Sequence, residues 1–90
     1  MLNLVVKSTG EDQKYDEKKL YASIYASLIV CKANHKEAEL IAGEVTKLMR
    51  RWVGTKSHVS SKDLRIEATK KLREYNHVAA YVYAHHRMLS

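Results

Sequence analysis

The residues of this chain best suited to chemistry are cations and hydroxyls near the starts of helices. Lys7 ends a strand-like run, Lys18 and Lys19 follow Asp16 in VVKSTGEDQKYDEKKL, and Ser60, Ser61 and Arg65 open a later segment. A helix N-terminus offers unpaired backbone N–H groups and the positive end of the backbone dipole, so cations beside it complete a site for phosphate or carboxylate. The same dipole disfavours Lys18 and Lys19 by roughly 0.3–1 kcal/mol each. Either neighbouring acids offset them or an anion belongs there. Covalent chemistry has no comparable basis. The chain contains no GxxxxGK[ST] loop, no GxGxxG and no HExxH. Its one cysteine and five histidines lack the spacing of a closed zinc site, and the adjacent His85 and His86 point in different directions on a helix. Asp16 and Asp63 read as helix caps, not as an acid–base pair. The expectation is a binding protein with no catalytic residues and no metal site.

The elements that must hold these groups are legible from periodicity. Residues 3–7 have strand composition, STGED supplies a turn at Gly10, and QKY is a return strand. From Asp16 the period changes: Leu20, Ile24, Leu28 and Cys31 form one stripe of an amphipathic helix. KAN breaks it, and Asn34 followed by Glu37 starts a second helix with a capping-box-like pair. Its stripe is Ala38, Ile41, Ala42, Val45, Leu48, Met49 and Trp52, with Gly54 as the stop. TKSHV is a short, extended connection. Ser60 or Ser61 then caps a third helix with Leu64, Ala68, Leu72 and Tyr75 inward, and after NH a fourth carries Val78, Ala79, Val82, His86 and Leu89. The order is β-β-α-α-α-α in a single domain over residues 1–90, with the hairpin lying over a small helical bundle because two strands alone are marginal in water.

Composition narrows the partner. The chain has 90 residues, 46% hydrophobic and 29% charged, as expected of one soluble domain. No apolar run reaches membrane-spanning length, and no signal-peptide pattern opens the sequence. The lone Cys31 cannot form an internal disulfide and fits a reducing interior, so the expected location is the cytoplasm, with no membrane partner. A net charge of +6 favours anionic partners without choosing among nucleotide, nucleic acid and acidic protein.

In four ordered segments the sequence resembles the ATP-cone domain. The family pattern of a hydrophobic pair, Lys, Arg, a turn Gly, Glu, an aromatic or aliphatic residue, Asp, and Lys before a hydrophobic residue is met here by Val5-Val6, Lys7, Ser8, Gly10, Gln13, Tyr15, Asp16 and Lys19-Leu20. VSSKDLRIEATKKL is similar to the family's third-helix segment and HVAAYVYAHHR to its closing one. The resemblance implies an α+β, mostly α fold: a four-helix bundle capped by a small N-terminal β-hairpin or three-stranded sheet, to which KSHV adds a strand. It also implies reversible, non-hydrolytic binding of ATP or dATP, with or without Mg2+. The bound nucleotide would control the oligomeric state or activity of an attached or partner protein, such as a ribonucleotide reductase or the transcriptional repressor of reductase genes. A homo-oligomer is part of that expectation. Lys7 and Lys19 would hold phosphates, Val5, Tyr15, Leu20 and Leu64 would line the base pocket, and Gln13 and Asp16 would read the base edge. Ser61 and Arg65 would sit near phosphates or sugar, and Arg87 would add a further cation.

Two positions depart from the family pattern. Ser8 replaces an Arg, removing a bidentate phosphate donor, and Gln13 replaces a Glu, turning an acceptor into a donor and acceptor. Loss of one charge-assisted contact costs roughly 1.5–3 kcal/mol, or about one to two decades of affinity. Two alternatives stand beside the nucleotide sensor. One is a small basic nucleic-acid-binding protein, from the charge and the MRRW segment. The other is a cone-fold protein-interaction domain that has lost its nucleotide, from Ser8 and Gln13.

Overall fold

The structure, a computed structural model, describes the backbone of residues 5–8 and 11–85 and the side chains of residues 15–85. The elements run β1 (Val5–Ser8), β2 (Glu11–Lys14), α1 (Glu17–Val30), α2 (His35–Val53), β3 (His58–Ser60), α3 (Ser61–Arg73) and α4 (His77–His85).

Each helix starts on a side-chain cap. Asp16 accepts a hydrogen bond from the Lys19 backbone N–H at 3.1 Å, Asn34 from that of Glu37 at 2.8 Å, Ser60 from that of Asp63 at 3.0 Å and Asn76 from that of Ala79 at 3.0 Å. Such caps are worth about 1 kcal/mol apiece because they satisfy donors the helix itself cannot. The lysines at the start of α1 are therefore tolerated by local means: Asp16 caps the helix, and Glu17 adds an acid in the first turn. α1 ends without glycine. Lys32 takes a left-handed φ of 68°, the Ala33 N–H donates to the Leu28 carbonyl at 3.0 Å and the Lys32 N–H to that of Ile29 at 2.9 Å, which is the Schellman arrangement. Gly54 ends α2 at a right-handed φ of −63°, so the special freedom of glycine is not used there.

The core is built by the helices alone. Ile24 and Leu28 of α1, Ala38, Ile41, Ala42, Val45 and Met49 of α2, Ala68 and Leu72 of α3, and Ala79, Ala80 and Tyr83 of α4 form one buried cluster. A second, smaller cluster joins Val53 to Val59, with Tyr15, Trp52 and Leu64 packed on it.

The expected capped α+β class is overturned. Residues 15–85 are 77% helix, in four helices with one strand of three residues, and no sheet caps the bundle. The physical reason is that the helices already close the main core, and β3 contributes a single buried residue, Val59. The backbone of β1 runs parallel to β3, Val5 level with His58 and Lys7 with Ser60, and antiparallel to β2. This short ladder meets the bundle along α3, and Val59 of β3 also packs on Val53 at the end of α2. The helical stripes also need correction at two ends. Tyr75 follows α3 and is exposed while Thr69 is buried. In α4 the inward residues are Ala79, Ala80 and Tyr83, with Val78 outside and Val82 at the margin; His86 and Leu89 lie outside the described residues.

Candidate functional site

The start of α1, the end of α2 and the start of α3 meet at one end of the molecule, where Tyr15 and Leu64 of the expected site pack on one small apolar cluster. Arg50, in the last turn of α2, forms a bidentate ion pair with Glu17 in the first turn of α1. That pair ties the two helix ends together and holds the Glu17 carboxyl below the usual carboxylate range, chiefly through the hydrogen bond from Arg50.

Beside it, Tyr15 is the least expected residue. Its ring packs on Val53 and Val59 with Trp52 and Leu64, and its hydroxyl is buried with no hydrogen-bond partner. Burial, reinforced by the negative charge of Glu17, pushes its pKa up to about 12. A buried phenol without a partner forfeits roughly 1–3 kcal/mol of solvation.

The other expected residues divide. Leu64 bridges the two apolar clusters, and Leu20 packs on the main one. Lys19 and Ser61 are exposed in the first turns of α1 and α3. Asp16 spends one carboxylate oxygen on its cap. Arg65 reaches away toward α4, where it donates to the Tyr83 carbonyl at 3.2 Å and lies 5.7 Å from the centre of the Tyr83 ring. Its half-buried guanidinium is a strut between α3 and α4. The side chains of Val5, Lys7, Gln13 and Arg87 lie outside the described residues; the backbone register sets Lys7 level with Ser60, the α3 cap.

Sequence reading missed a polar chain at the opposite end of α1. The Tyr25 hydroxyl hydrogen-bonds His35 Nδ1, and His35 Nε2 lies 3.3 Å from Glu39 Oε2. The His35–Glu39 spacing of four residues was a visible signal, but the Tyr25 contact depends on how α1 turns into α2. A surface hollow of about 310 Å³ lies between α2 and α3, lined by Leu48, Glu67, Lys70, Lys71, Glu74 and Tyr75. It contains none of the expected residues, and its lysines already face Glu67 at 3.7 and 2.8 Å. Among the described residues no group of three or more His, Cys, Asp or Glu is placed to hold a metal. Burial raises the Cys31 thiol above its ordinary pKa, which makes it a poor nucleophile. Among the described residues no helix is long and apolar enough to cross a membrane.

Compared with models of known families, with curated proteins and with solved structures, the chain finds no match.

Proposed function

We propose that this chain is a nucleotide-sensing regulatory module of the ATP-cone kind. It binds ATP or dATP reversibly and without hydrolysis, and so alters the assembly or activity of an attached or partner protein such as a ribonucleotide reductase or its repressor. The observation that carries the reading is the coincidence at one end of the molecule of a cationic strand and a helix start. Lys7 stands level with the Ser60 cap of α3, Lys19 is exposed in the first turn of α1, and Tyr15 packs its ring on the Val53–Val59 cluster. Polyphosphate suits the two lysines and the α3 N–H groups, and a base suits the apolar Tyr15–Leu64 surface. The engagement of Arg65 with Tyr83 shifts phosphate binding onto Lys7, Lys19 and Ser61.

The test is calorimetric titration with ATP and dATP, with and without magnesium, followed by sedimentation. Saturable heat together with a nucleotide-dependent change in sedimentation is the expected result. A folded sample giving no heat at millimolar nucleotide overturns the proposal. The reading as an interaction domain without nucleotide draws on Ser8, Gln13 and the Arg65 strut. It requires that a Lys7→Ala, Lys19→Ala double variant leave partner binding unchanged.

A further inference from the structure

The positive charge is concentrated in one segment. Between Glu44 and Asp63 there is no acidic residue, while Lys47, Arg50, Arg51, Lys56 and Lys62 all fall there, so nearly the whole net charge of +6 arises from these residues. The end of α2, β3 and the start of α3, which carry them, are joined through the Val53–Val59 cluster with Trp52 and Leu64. Arg50 is neutralised by Glu17. Lys47, Arg51 and Lys62 are exposed and make no ion pair among the described residues. Lys56 stands 5.2 Å over the ring of Trp52.

We infer that this pole is a docking surface for an acidic protein segment, centred on Lys47 and Arg51 with Lys56 and Lys62 at its edge. Lys47 and Arg51 share one face of α2, about 6 Å apart along its axis, a spacing that acidic side chains on an extended or helical segment can match. Nucleic acid fits less well on two counts. α2 is packed between α1 and α3, so it cannot stand clear of the body to enter a major groove about 12 Å wide. Trp52 is packed on both apolar clusters and covered by Lys56, leaving no aromatic face for a base to stack on. The surface lies at the same end of the molecule as the proposed nucleotide site but shares no residue with it, so the inference does not rest on that reading.

Trp52 is the only tryptophan and lies under Lys56, so its fluorescence reports the surface directly. The full chain is titrated with a short polyglutamate peptide at low salt. A saturable change in Trp52 emission is expected, weakening steeply toward 1 M salt, where the Debye length is about 3 Å. Lys47→Glu with Arg51→Glu should weaken binding by about tenfold or more, whereas Lys36→Glu with Arg73→Glu, the same charge change elsewhere, should leave it near the parent value. No peptide binding at low salt, equal losses in both double variants, or tighter binding of duplex DNA of matched charge would overturn the inference. Nucleotide binding is scored separately with Lys7→Ala and Lys19→Ala, so either proposal can fail alone.

Discussion

At the scale of single residues, Tyr15 concentrates the tension between folding and function. Its ring is useful to the small cluster around Val53 and Val59, but its hydroxyl is buried without a partner. Tyr15→Phe should be neutral or stabilising by up to about 1 kcal/mol, because it removes an unsatisfied group without opening a cavity. The sign of the pH effect is fixed by the raised pKa. The neutral phenol is favoured by folding, so its contribution is whole below the ordinary value of 10 and is lost as pH rises toward about 12. Chemical denaturation across that alkaline range should show the parent losing more stability than the phenylalanine variant, in which the buried Tyr83 phenol, likewise raised by burial, still titrates. The caps were legible at this scale: Asp16, Asn34 and Ser60 each act within three residues, and short-range geometry leaves them little choice. Arg65 was not legible, because its partner is the carbonyl of Tyr83, eighteen residues away on another helix.

At the scale of elements, the helices differ in how clearly they announced themselves. α2 carries seven charged residues on one side and an apolar stripe on the other. Of that stripe Ala38, Ile41, Ala42, Val45 and Met49 are buried, Leu48 and Trp52 are partly buried, and Thr46 and Val53 join the buried face. α4 has no charged residue from 77 to 85, so nothing in its composition marks an outside, and the phase read from it slipped. Contacts of α4 with α1 and α3 chose Ala79, Ala80 and Tyr83 instead. The turn after α1 was read only as a break, since no glycine marks it. Lys32 holds the left-handed position there, where a side chain costs about 1–2 kcal/mol. Lys32→Gly should raise stability by about 0.5–1 kcal/mol after allowance for the greater freedom of glycine in the unfolded chain. Urea denaturation of both proteins measures it, and a destabilised glycine variant would mean the Lys32 side chain contributes contacts that offset its backbone strain.

At the scale of the whole molecule, the Arg50–Glu17 ion pair joins helix ends that the chain separates, while Lys70 and Lys71 pair with Glu67 inside α3. Glu17 is held below its ordinary pKa by Arg50, and Glu67 by Lys71 with Lys70 beside it. Folding favours both carboxylates in their charged form, so this stabilisation is present above the ordinary carboxylate pKa and is lost as pH falls through the lower folded values. Thermal melts from neutral to acid pH should therefore show falling stability. Glu17→Gln should melt lower than the parent at neutral pH, and the gap should close in acid. A gap that persists unchanged in acid would assign the loss to packing instead of charge. The same scale sets the place of the strands: the four helices fill the main core, and Val59 of β3 adds only to the small cluster around Val53.

The sequence alone determined the four helices and the capped starts of the first three, because caps and periodicity are properties of neighbours along the chain. Tertiary structure decided the rest. It turned Arg65 into a strut, paired Arg50 with Glu17, buried the Tyr15 hydroxyl and selected the inward face of α4. Each of these depends on which surfaces meet after distant segments pack, and packing energy, which overrides weak local preference, is not written in any short window of residues.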